Sequence, residues 1–60
     1  MRYPEMIIQY ARNNSGCITR GEAASLLLIG EDQAYRVLKR MTAENKLKAV
    51  GKGKGAHYEL

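Results

Sequence analysis

The chain has 60 residues, enough for one small domain that buries only about 60% of its unfolded surface. Such a chain has little room for a deep enclosed active site, and an enzyme is not expected. Ten Lys and Arg against six acids give a formal net charge of +4, and 45% hydrophobic with 27% charged residues is a globular rather than a disordered composition. With a single cysteine, neither an intrachain disulfide nor a four-ligand zinc site is expected, and no apolar run approaches the roughly 18 residues that span a membrane.

Pro4 suits the first turn of a helix, and Met6, Ile7, Tyr10 and Ala11 recur at helical spacing, so the first helix is predicted from about Pro4 to Asn13. Asn14, Ser15 and Gly16 follow as a stop, with Gly16 or Asn14 able to take the left-handed conformation. Cys17-Ile18 then suits a one- or two-residue bridge. Cys17 beside Ile18 reads as a small buried hydrophobe, with a redox role as the alternative.

Thr19 followed three residues later by Glu22 is a capping-box pattern, which starts the second helix at about Arg20 and carries it to Leu27 or Leu28. Ala23, Ala24, Leu26 and Leu27 supply its buried side, and the alanines allow another helix to approach closely. Gly30, Glu31 and Asp32 form the next start signal, with the acids complementing the helix dipole. The third helix is predicted over 31–45, with Ala34, Val37, Leu38 and Met41 on one stripe. Asp32, Arg36, Lys39 and Ala43 fall on the far side, flanked by Gln33 and Arg40 on one shoulder and Tyr35 on the other. From Thr19 to Met41 the layout is that of a helix-turn-helix.

Leu47, Ala49 and Val50 read as a short strand, residues 51–55 alternate glycine and lysine, and residues 56–60 read as a second strand with Tyr58 and Leu60 on one face. Two strands joined by a glycine-rich turn make a hairpin. Positive charge crowds this half: Arg36, Lys39, Arg40, Lys46, Lys48, Lys52 and Lys54 are opposed by Glu44 and Glu59 after the acidic pair at 31–32. A one-sided basic surface favours a polyanion, and a merely solvated face is the alternative.

The order helix, short strand, helix, helix, hairpin, carried by the residues from Ile18 to Leu60, resembles the winged-helix family of DNA-binding domains over essentially the whole chain. In that family a small residue sits where Ala24 stands, an apolar residue follows the turn where Ile29 stands, and apolar positions recur at Ala34 and Val37. A Gly- and Lys-rich wing and a strand ending in tyrosine plus an apolar residue complete the pattern. Two positions depart from it: Leu28 stands where many such turns place glycine, and Gly30 where a serine or threonine cap is common.

The resemblance implies a mainly α fold with a small β-hairpin, of α+β class, in which a three-helix core carries a C-terminal wing. It implies double-stranded DNA as the partner, in a transcriptional regulator or another DNA-associated protein. The third helix would enter the major groove, and the wing at 51–55 would lie on the backbone or minor groove. Arg36 is suited to guanine and Gln33 to adenine, whereas Tyr35, Lys39 and Arg40 suit phosphates. Lys52 and Lys54 would each neutralise a phosphate. Asp32 either caps its helix or accepts from a cytosine amine. The other functions open to such a domain are protein interaction without DNA contact and RNA binding.

The remaining motifs carry no chemistry of their own. Gly51-Lys52-Gly53-Lys54-Gly55 lacks the spacing and the following helix of a phosphate loop. His57 has neither a catalytic pattern around it nor partner ligands at metal spacing, and Tyr3, Tyr10 and Tyr58 read as core or core-edge aromatics that keep a wet hydroxyl. No cofactor, metal or small-molecule substrate is expected, and no signal-peptide pattern opens the chain, so the expected location is the cytoplasm. One domain over 1–60 is expected, whole or excised from a larger protein. A homodimer partner or a fused domain would supply the affinity that so few base contacts cannot.

Overall fold

A computed structural model describes residues 2–51 and 56–60. The elements follow in the order α1 (Tyr3–Arg12), β1 (Cys17–Ile18), α2 (Arg20–Leu27), α3 (Glu31–Ala43), β2 (Lys48–Val50) and β3 (His57–Glu59), an α+β arrangement of three helices and one antiparallel sheet. Among the described residues no helix is long and apolar enough to cross a membrane.

Pro4 lies in the first turn of α1, where its missing N–H costs nothing, and Arg12 in the last turn meets the negative end of the helix dipole. The helix ends one residue earlier than expected, with Asn13 as its cap. Ser15 (φ 58°) and Gly16 (φ 78°) then turn left-handed, and the Gly16 N–H donates to the Ala11 carbonyl at 2.7 Å. Asn14 is not left-handed; its side-chain amide donates instead to the Cys17 carbonyl at 3.0 Å.

The capping box forms in full at the start of α2. Glu22 N–H donates to Thr19 Oγ1 at 3.1 Å, and Thr19 N–H donates to Glu22 Oε1 at 2.9 Å. At the other end Leu28 adopts the left-handed conformation (φ 57°, ψ 45°), its N–H and that of Ile29 both returning to the Ala24 carbonyl. Gly30 is the extended N-cap of α3. That helix stops at Ala43 rather than 45, because Asn45 (φ 62°) reverses the backbone and Lys46 N–H donates to the Met41 carbonyl at 2.8 Å.

The sheet runs in the order β1-β3-β2, with the last strand in the middle. The expected hairpin pairing is present as Lys48↔Glu59, Ala49↔Tyr58 and Val50↔His57. The short strand expected between the first two helices is present as β1, paired with the central strand as Cys17↔Glu59 and Ile18↔Tyr58. Alternation along a strand sends neighbouring side chains to opposite faces. Ile18 is therefore fully buried while Cys17 is only half-buried, which corrects the expectation of a buried cysteine.

The core gathers Ile7 and Ala11 of α1, Ile18 of β1, Ala23, Ala24 and Leu27 of α2, Ala34, Leu38 and Met41 of α3, and Leu47 before β2. Alanines at 23, 24 and 34 let α2 and α3 approach closely, and this helix pair makes the most extensive contact in the fold. Leu26 and Val37, both expected inside, pack at the core edge instead, as do Tyr10 and Tyr58, whereas Tyr3 is exposed.

Leu28 is 90% exposed, so its side chain gains almost nothing from burial while its backbone sits where a Cβ is disfavoured by roughly 1–2 kcal/mol. Glycine would relieve that cost against an entropy loss of about 0.5–1 kcal/mol. Leu28→Gly should therefore raise the melting temperature by a few degrees, corresponding to a gain of about 0.5–1 kcal/mol. Calorimetry that finds a lower melting temperature would show instead that the leucine packs on something.

Candidate nucleic-acid interface

Burial of Ala34, Leu38 and Met41 fixes the rotation of α3 about its axis, and with it the direction of the opposite face. Gln33, Tyr35, Arg36, Lys39 and Arg40 are all exposed, as the helical stripe predicts. Lys39 Nζ lies 6.0 Å from the centroid of the Tyr35 ring, one turn back along the helix, within reach of a weak cation–π contact.

Charge on this face is graded along the helix. Near the start, Glu31 is paired with Arg20 of α2 (Nε to Oε1, 3.3 Å), and Asp32 lies in the first turn, where its carboxylate meets the positive end of the dipole. The N-cap itself is Gly30, which makes no side-chain bond, so Asp32 complements the dipole rather than capping the helix. Near the end, Glu44 is shared by Arg40 (3.5 Å) and Lys46 (3.3 Å), leaving one positive charge in excess in that trio. Between the two ends, Arg36 and Lys39 are exposed and have no ion-pair partner among the described residues. Lys52 and Lys54, the cations assigned to the wing, lie outside the described residues.

An open cleft of about 440 Å³ lies beside this face, lined by Thr19, Arg20, Gly21, Glu31, Tyr35, Ala56 and Tyr58. Burial, and then the neighbouring Tyr35, push the Tyr58 phenol above its ordinary value, while Arg20 pulls it down. The cleft thus brings a guanidinium and two phenols to the junction of α2, α3 and β3, a combination that periodicity along single helices does not reveal.

A polar node behind the interface ties the helices together. Glu22 Oε2 accepts from the Tyr10 hydroxyl at 2.9 Å and, at a long 3.4 Å, from the Asn14 amide, while Oε1 completes the capping box. The hydrogen bond from the Thr19 backbone does most to lower the Glu22 pKa, assisted by Tyr10, the Thr19 side chain and Asn14 against the opposing effect of burial. Tyr10 is raised by the same bond to Glu22, by burial and by the carboxylate charge.

The sheet also assembles a group that spacing along the chain did not disclose. Cys17, His57 and Glu59 lie together on the face turned away from Ile18, with His57 Nε2 3.0 Å from Glu59 Oε2. The absence of metal spacing around His57 was a property of the sequence; the β1–β3 register supplies the neighbours. Only that register, between residues some forty positions apart, could have signalled it.

No family model matches the chain, and neither a curated protein nor a solved structure matches it.

The Glu22 node makes stability depend on pH in a definite direction. A carboxylate with a lowered folded pKa stabilises the fold above the ordinary value of 4.5, and this contribution is lost as pH falls through the folded value. Tyr10, raised from 10.0, contributes below that value and loses its contribution as pH rises through the raised one. Glu22→Gln can keep the Thr19 N–H bond but sets an amide donor against the Tyr10 and Asn14 donors, so it should flatten the acid limb of stability against pH and lower the melting temperature near neutrality. An unchanged acid limb in chemical denaturation would assign that dependence to other carboxylates.

Proposed function

We infer that the chain is a winged-helix domain that binds double-stranded DNA with the exposed face of α3. The observation that carries this reading is the separation of α3 into two faces: Ala34, Leu38 and Met41 are buried, while Gln33, Arg36, Lys39 and Arg40 stand exposed on the other side. With 13 residues the helix is about 20 Å long and can lie along a major groove about 12 Å wide.

Arg36, central on that face, is placed to read guanine, with Gln33 one turn nearer the helix start for adenine. Lys39, Arg40 and the Tyr35 hydroxyl hold the backbone. Asp32 and Glu31 discourage phosphate at the helix start, so the phosphate contacts of α3 concentrate in its later turns. The proposed wing is the Gly/Lys segment 51–55, which follows β2 in the sequence, and Lys52 and Lys54 neutralise phosphates there. A single copy covers few base pairs, so working affinity comes from a second copy or a fused domain. Transcription regulation is the process that this assignment fits.

Two classes of variant separate base reading from phosphate holding in fluorescence-anisotropy titrations against a selected duplex and a random one. Arg36→Ala should weaken the selected duplex by about 5- to 150-fold, equivalent to about 1–3 kcal/mol, and reduce the preference for it. Lys39→Ala should weaken both duplexes alike and lower the salt slope by about 1, and the double variant Lys52→Ala, Lys54→Ala should lower it by about 2. Absence of binding to any duplex at low salt, or displacement of duplex by structured RNA at equal concentration, would overturn the reading.

A further inference from the structure

Cys17 and Glu59 are cross-strand partners in the β1–β3 ladder, and His57, two residues before Glu59, projects from the same face of the central strand. One ligand atom from each, the thiol sulfur, an imidazole nitrogen and a carboxylate oxygen, all lie within 4.8 Å of one another. The group lies on the face of the sheet opposite Ile18, which is buried in the core. Its members are half-buried, with the His57 side chain 29% and the Glu59 side chain 44% exposed.

The geometry points to a divalent metal site of the zinc class, with Cys17, His57 and Glu59 as three protein ligands and water in the fourth position. Thiolate and imidazole select zinc or cobalt over magnesium or calcium, which prefer oxygen donors. A tetrahedral ion with ligand bonds of about 2.0–2.3 Å sets its donors about 3.3–3.8 Å apart. Donors already within 4.8 Å reach that spacing by small side-chain rotations, with the backbone held by the strand ladder. Two of them, His57 Nε2 and Glu59 Oε2, are already in hydrogen-bond contact at 3.0 Å.

Charge and proton balance are simple. On binding, the Cys17 thiol releases its proton to water, and His57 coordinates in its neutral form. Thiolate and carboxylate then neutralise the two charges of the ion, so the site closes with no net charge. Lys48 is opposite Glu59 on the other edge of the sheet, but Glu59 directs its carboxylate to His57. The ion would pin the two-residue strand β1 to β3 and close a loop of about forty residues, stabilising the sheet from its outer face.

Cobalt titration of the reduced full chain tests it. Binding of one equivalent should produce a thiolate-to-cobalt charge-transfer band that zinc abolishes, and Cys17→Ser should remove the band. His57→Ala and Glu59→Gln should each weaken the metal by about tenfold or more. At a free zinc concentration about a hundredfold above the dissociation constant, the melting temperature should rise on the order of 10 °C. In the unaltered chain, which does not depend on how the variants fold, zinc should shift the NMR signals of the His57 ring and the Cys17 Cβ together. The site is overturned by the absence of the band with millimolar cobalt, by a band indifferent to both His57→Ala and Glu59→Gln, or by zinc shifts at only one of the two residues.

Discussion

The Glu22 carboxylate is the constraint on which the rest of the fold depends. It accepts from the Thr19 backbone, the Tyr10 hydroxyl and the Asn14 amide, so a single anion ties together the last turns of α1, the turn into β1 and the start of α2. Asn14 extends the node to the Cys17 carbonyl and thereby to the edge strand. With the start of α2 held, the alanine contact between α2 and α3 orients the third helix, and the exposed Arg20–Glu31 pair adds little to it. The direction in which Arg36 points is set by the buried stripe Ala34, Leu38 and Met41, and the Glu22 node on the preceding helix holds the α2 surface on which that stripe packs.

Such a node matters because the core is small. Ile7, Ile18, Leu38 and Met41 are the largest fully buried side chains, and four alanines, Ala11, Ala23, Ala24 and Ala34, hold much of the remaining interior. A domain of this size has a margin of only a few kcal/mol, so a satisfied cap and a hydrogen-bonded carboxylate are large contributions in proportion. Among the described residues the core encloses no polar side chain. The left-handed non-glycine residues, Ser15, Leu28 and Asn45, all fall in turns outside it. The polar and cationic residues of α3 are consequently spared any structural duty in the interior.

What was legible in the sequence was mostly local. The capping box at Thr19 and Glu22, the apolar stripe of α3 and the glycine start at Gly30 are interactions within one or two turns, and such signals survive in a linear reading. The exposed cations of α3 followed from the same periodicity. Long-range pairing was not legible: nothing near Cys17-Ile18 announces that it will join a strand forty residues later, and so the Cys17, His57 and Glu59 group was hidden. Leu28 was legible as an anomaly, but only the backbone shows that leucine occupies the left-handed position itself. The end of α3 was overextended by two residues, to 45 instead of 43, because Asn45 looks helical until its turn geometry is seen.

The DNA-binding account rests on one face of one helix, with the opposite face fixed by the core. Amide chemical-shift mapping of the isotopically labelled chain, titrated with a duplex at low salt, addresses it most directly. The account predicts that the largest perturbations fall on Gln33, Tyr35, Arg36, Lys39 and Arg40, while Ile7, Ala11 and the rest of α1 remain unshifted. Perturbations centred on α1 or on the outer face of the sheet, with α3 unchanged, would contradict it.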